Sequence, residues 1–307
     1  MRRWWLIFRQ AASEFVADNG MKLSASLSYY TIFSLGPVLL IIISLAGFFF
    51  GKEAVRGKLF YQINGLVGNE AAAQIQDIIQ NIEQSQTSTS GAVFGIILLL
   101  VGATGVFAEI QDSINFIWSL KAKPRQGWLK LLINRLISFS LIISFGFVLL
   151  VSLVVHALID VLHDKISQLI NSEMVLIFQV FNYVILFVII TSLFAIIFKV
   201  LPDGSIRWKD AYVGAVFTAA LFLIGKFVIS FYLGASDIGM TYGAAASIVI
   251  ILLWVYYSSI ILFFGAEFTK VYTLNFGKGI IPDKTAVFIV KQEVTELSTP
   301  IPEVPRK

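Results

Sequence analysis

Residues 243–268 read GAAASIVIILLWVYYSSIILFFGAEF, and the first charge in that stretch is Glu267. At ~1.5 Å per residue, a helix of about 20 apolar residues crosses a hydrocarbon core of roughly 30 Å. This stretch is long enough, so the solvent it fits is lipid. Working outward, five more stretches qualify: 31–50, 92–108, 136–159, 174–201 and 211–234. The expected fold is therefore an all-α integral membrane protein, a bundle of six transmembrane helices.

Composition agrees. Of 307 residues, 57% are hydrophobic and 14% charged, against about 45–50% and about 25% in soluble domains. Mean hydropathy is +0.83. A chain without cysteine has no disulfides, thiolate nucleophiles or Cys-held metals, and carries no redox-compartment signal. The pI near 9.1 would suit nucleic acid, but the distribution of the basic residues explains it better. Of the 23 Lys and Arg, 18 fall in the N-terminal segment, the second and fourth loops and the tail, and four in the first and third loops; Lys226 lies within a span. Basic residues in short flanking loops stay on the cytoplasmic side, which puts both termini in the cytoplasm.

Residues 1–272 are read as the transmembrane domain and 273–307 as a cytoplasmic tail. Pro300, Pro302 and Pro305 mark a disordered end, and 286–297 is read as a short ordered element. Near the start, Trp4, Trp5, Phe8 and Phe15 among arginines indicate an amphipathic helix in the cytoplasmic interface, not a signal peptide, because Arg9 and Gln10 interrupt the apolar run. Between spans one and two, Ala72, Ile75, Ile78, Ile79 and Ile82 recur at helical spacing among polar residues, which reads as an outer amphipathic segment.

Ionisable groups inside a span cost at least about 2.5–3.5 kcal/mol near the centre, so each is a candidate for function. Lys226 is the clearest, with Trp254, Tyr256 and Tyr257 at matching depth on span six and able to receive an ammonium. The readings are a cationic site for an anionic substrate or headgroup, or a side chain snorkelling to the outer interface. Glu267 sits at the inner end of span six, too far in depth for a direct pair with Lys226. At the inner end of span two, Glu109, Asp112 and Asn115 stand at steps of three; they serve either a structural pairing with Arg207 or Lys209, or a cation or proton station. Gly36 and Pro37 break or kink span one, since proline removes a donor and clashes with the preceding turn, and Ser24, Ser28 and Thr31 share a polar face just before them. Gly214 with Thr218, and Gly243 with Ser247, are small pairs that allow close helix packing. His156, Asp160, His163 and Asp164 share a face at the outer end of span three. They are a weak metal candidate, because a helix emerging into water turns polar anyway. No catalytic triad, Walker A loop or HExxH motif is present, and no cofactor is expected.

Several segments together resemble the YihY/BrkB family of bacterial inner-membrane proteins: Leu27-Ser28-Tyr29-Tyr30-Thr31-Ile32-Phe33-Ser34-Leu35-Gly36-Pro37; Ile114-Asn115-Phe116-Ile117-Trp118; Leu201-Pro202 with Trp208 and Gly214-Ala215; and Tyr242-Gly243-Ala244 leading to Leu253-Trp254-Val255-Tyr256 and Gly265-Ala266-Glu267. The resemblance implies six membrane helices with both ends inside, and associates the chain with transport or export of lipid-linked or ionic substrates and with virulence-type stress resistance. It also implies a former ribonuclease label, which two histidines at a helix end do not support. The leading expectation is a non-enzymatic translocator whose partners are membrane lipids and an unidentified small molecule, ion or lipid, with no nucleic acid and with a homo-oligomer left open. The rival is a non-transporting envelope scaffold acting through its N-terminal helix, outer segment and tail.

Overall fold

A computed structural model describes residues 2–34, 72–76, 105–123, 172–236, 241–242 and 245–291. Most of the first three expected spans lies outside these residues, as do Gly36, Pro37, His156, Asp160, His163 and Asp164. Within them the chain is mostly helical. Helix α1 is Arg2–Ala17. A turn with Asn19 in the left-handed region (φ 55°), which Asn tolerates better than most residues, leads into α2 over 20–34. Helix α3 covers 105–117, and Ser119, also left-handed, turns the chain into strand β1, Leu120–Ala122. Next come α4, Ser172–Val200, strand β2, Gly204–Ser205, α5, Trp208–Ala235, and α6, Ala246–Phe276. Strands β3, Ile281–Pro282, and β4, Ala286–Phe288, complete the described chain.

Among the described residues three helices are long and apolar enough to cross a membrane: Tyr183–Val200 within α4, Trp208–Ala235 and Ile248–Phe276. At most a third of the residues in each apolar window are buried in the protein. Large apolar side chains such as Phe227, Phe231 and Tyr183 are exposed, an arrangement stable in lipid and costly in water.

The antiparallel helices α5 and α6 approach closely because glycine on each receives threonine from the other. A Cβ on Gly214 would fall 1.9 Å from Thr269 Oγ1, and one on Gly265 would fall 2.0 Å from Thr218 Oγ1. Each hydroxyl donates to a carbonyl one turn back on its own helix, Thr218 to Gly214 (2.7 Å) and Thr269 to Gly265 (2.6 Å). The seam therefore packs without leaving these hydroxyls unsatisfied. Gly214 and Thr218 form the close contact that their spacing suggested; their mates Gly265 and Thr269 show the same spacing.

Helix α6 runs past the expected boundary at 268 to Phe276 because α1 packs alongside its last turns. Ile7 and Ala11 are buried against Phe268 and Val271, and the Trp4 ring stacks near Phe268, Tyr272 and Phe276 at centroid distances of 6.5, 5.8 and 6.3 Å. The main core gathers at the same end, where Ile114, Ile117, Phe198 and Phe263 are fully buried. Trp118 joins them with its Nε1 donating to the Ala266 carbonyl (3.1 Å).

Two antiparallel strand pairs bind residues after α6 to the loops at this end. In one, Leu120, Lys121 and Ala122 face Phe288, Val287 and Ala286. In the other, Gly204 and Ser205 face Pro282 and Ile281. These pairs add a small β component to an otherwise helical fold. Their two- and three-residue strands are too short to display an alternating pattern.

Candidate functional site

Charged side chains from three separate segments meet beside the last turns of α6, next to the end of α3. Lys270 Nζ lies 2.7 Å from Glu267 Oε2, 2.8 Å from Glu14 Oε2 and 3.5 Å from Asp18 Oδ2, and donates to the Ile117 carbonyl at 2.8 Å. Lys291 Nζ reaches Asp18 Oδ2 at 2.7 Å and sits 4.1 Å from the centroid of the Phe116 ring, a cation–π contact. Glu267 is fully buried and the Lys270 side chain is 9% exposed. The Glu267 carboxylate is close enough to Lys270 for an ion pair, yet neither of its oxygens accepts a well-aligned hydrogen bond.

Three carboxylates thus face two ammonium groups, with Glu267, Lys270 and Asp18 buried and Glu14 and Lys291 partly open to the surface. Burial alone would raise the Asp18 carboxyl, but the hydrogen bond from Lys291 and the charges of Lys270 and Lys291 outweigh it and hold Asp18 below its ordinary value. Chemically the cluster can exchange a proton or reorganise its pairings. Mechanically it joins the end of α1, the end of α3, α6 and the segment after β4.

A second polar knot lies nearby. Gln111 Nε2 and Asn115 Nδ2 donate to the two carboxylate oxygens of Asp203 at 3.2 and 3.0 Å. The Asp203 backbone N–H returns a bond to Asn115 Oδ1 at 2.8 Å, and its carbonyl accepts from the Asp283 N–H at 3.0 Å. Asp203 was not among the expected residues, although Leu201-Pro202-Asp203-Gly204 carries the composition of a turn. Arg207 chelates Asp210 through two bonds of 3.0 Å each.

The structure separates the expected candidates. Asn115 is buried in the Asp203 knot, Glu109 is half-buried, and Asp112 is exposed. Helical geometry accounts for this: a three-residue step falls about 60° short of a turn, so Asn115 points about 120° away from Glu109. Ser28 is buried, with its hydroxyl donating to the Ala25 carbonyl on its own helix (2.9 Å). Ser24 and Thr31 bond backward in the same way. Lys226 is half-buried, with Nζ 5.8 Å from the Phe227 ring centroid. Trp254 packs edge-on against Phe222, and Tyr257 covers Gly225, beside Lys226. The Tyr256 hydroxyl reaches toward Met21 Sδ on α2 (3.5 Å). Since Tyr257 lies level with Gly225, Glu267 is about 15 Å farther along α6 at ~1.5 Å per residue, so Lys226 and Glu267 are not one site. Among the described residues no group of three His, Cys, Asp or Glu side chains could hold a metal ion.

A family model described as Virulence factor BrkB matches residues 11–286. A UPF0761 membrane protein of Rhodospirillum centenum is 26% identical over 266 residues, covering 86% of this chain and 56% of its own length. One from Vibrio vulnificus is 26% identical over 254 residues, with 79% and 74% covered. A third, from Psychrobacter, is 24% identical over 274 residues, with 89% and 49% covered. The chain thus spans about half to three quarters of these relatives. No solved structure matches it.

Proposed function

This chain belongs to the Virulence factor BrkB family of bacterial membrane proteins, and on that premise we propose that it translocates a lipid-linked or ionic substrate across the inner membrane. Six spans with both termini in the cytoplasm form the body of this reading. The charged cluster around Lys270 is its inner closure. The observation that carries it is the burial of Glu267 and Lys270 where otherwise separate segments converge.

A buried ion pair contributes little net stability compared with a well-packed apolar contact. Apolar residues would hold α1, α3 and the tail against α6 at least as firmly. Ion pairs differ in that water and protons can take them apart and let them reform, which suits a junction that opens. The excess carboxylate leaves room for one proton without a new partner. In this reading Lys226, with Trp254 and Tyr257 beside it, meets the substrate in the outer half. Glu267 stands in the inner half, while Asn115 serves the Asp203 knot. The scaffold alternative has less support, because α1 and residues 281–288 are already engaged by the chain's own helices and loops.

The test is movement of fluorescent phospholipid in proteoliposomes containing wild type, Lys226→Met or Lys270→Met, beside empty vesicles. Acceleration by wild type, lost about tenfold in Lys226→Met and altered in its pH dependence in Lys270→Met, is the expected result. Wild-type rates equal to empty vesicles, for lipid and then for ions in the same vesicles, would overturn the reading.

A further inference from the structure

Between α1 and the neighbouring ends of α5 and α6 lies a groove of about 480 Å³, within the range of small-molecule sites, roughly 300–1,000 Å³. Trp4, Trp5 and Phe8 of α1, Val213 and Val216 of α5 and Phe268 of α6 form its walls. Trp4, Trp5, Phe8 and Val216 remain substantially exposed. The groove offers one ligand chemistry along its length, a saturated or aromatic hydrocarbon.

Its rim offers another. Lys209 stands one helical turn before Val213, on the face of α5 that lines the groove, whereas Arg9 follows Phe8, which meets Phe217 at the far end of that wall. Both are exposed. The first turn of α1 contains no acid, and the acid in the first turn of α5, Asp210, is buried and held by Arg207. Trp208 and Tyr212 lie beside Lys209, half exposed and 6.0 Å apart. Exposed Trp and Tyr rings among basic residues mark the headgroup level of a bilayer. An apolar slot that opens at that level beneath uncompensated positive charge is complementary to an amphiphile with a hydrocarbon chain and an anionic head.

We propose that this groove binds one acyl chain of an anionic phospholipid from the cytoplasmic leaflet, with the phosphate held by Lys209 at the end marked by Trp208 and Tyr212. The lipid is a bound component that fastens α1 to α5 and α6, whether or not the protein translocates lipid. A second copy of the chain would match the apolar walls but leave the cationic rim facing its own like charge, which is unfavourable.

Native mass spectrometry of the purified full chain, exchanged into equal phosphatidylglycerol and phosphatidylcholine, tests the assignment. Wild type is expected to retain one phosphatidylglycerol per chain at least tenfold over phosphatidylcholine. Val216→Trp, which fills the groove, should lower that occupancy about tenfold. Lys209→Gln should bind the two lipids equally. Equal retention of both lipids by wild type, undiminished phosphatidylglycerol in Val216→Trp, or a lipid-free dimer that Val216→Trp dissociates would each overturn the proposal. Should Val216→Trp not fold, thermal melting of wild type decides: phosphatidylglycerol is expected to raise Tm more than phosphatidylcholine, and equal shifts overturn the site.

Discussion

The α5–α6 seam and the Lys270 cluster lie within a few residues of each other on α6, yet they hold the protein together by different physics. In the seam, Gly214, Thr218, Gly265 and Thr269 interlock by shape, and every threonine hydroxyl involved is satisfied within its own helix. Nothing in that contact titrates. In the cluster, Lys270 pairs with Glu267 on its own helix and with Glu14 and Asp18 from another segment, Lys291 pairs with Asp18, and each charge depends on a neighbour that must be present and correctly ionised. The seam is suited to permanence and the cluster to conditional assembly, although one helix supplies both.

Removing one member from each region separates the two. Lys270→Met leaves Glu267 buried without its counter-charge and should destabilise by about 3–5 kcal/mol in thermal unfolding of the detergent-solubilised protein. Adding Glu267→Leu should recover most of that loss, since the orphaned charge is gone; no recovery would mean that the other pairings of Lys270 dominate. Gly265→Val forces a side chain into Thr218 and should cost about 1–3 kcal/mol, partly restored by Thr218→Gly but by no change of pH. The smallest effect concerns Asp18, at about 1 kcal/mol or less, because the attraction of its buried carboxylate to the lysines is largely offset by the cost of desolvation. Its folded pKa lies below the unfolded one, so its contribution is complete above about pH 4 and disappears as pH falls through the folded value. The difference in Tm between wild type and Asp18→Asn should therefore be present at pH 6 and vanish in acid, while the effect of Gly265→Val persists across that range.

The helices were legible because apolar length is written locally. The stretches 174–201 and 211–234 fall within one to three residues of α4 and α5, and the aromatic-basic pattern at the start marks α1. Pairings were less legible, because a side chain's partner is fixed by distant chain segments. Glu267 stood out as an acid at a span end, but its links through Lys270 to Glu14 and Asp18 depend on how α1 docks. Asn115 was singled out with the wrong companions, since its mate Asp203 is 88 residues away. Gly265 was quoted only as part of a motif, and its role as the seat for Thr218 appears once the register of α5 against α6 is known. Strand β1 is shorter than any periodic signal could reveal.

The pairing of β1 with β4 also bears on biosynthesis. Lys123, next to β1, bonds to the backbone of Lys284, 161 residues later. At about 5–20 residues per second, the edge of β1 emerges roughly 10–30 s before the segment that completes it. Throughout that interval an unpaired row of backbone donors and acceptors is available to chaperones, to misplaced strands or to another nascent chain. The end that carries these strands is therefore the last part of the described chain to mature, and a ribosome stalled before residue 286 would leave the helices with that edge still open.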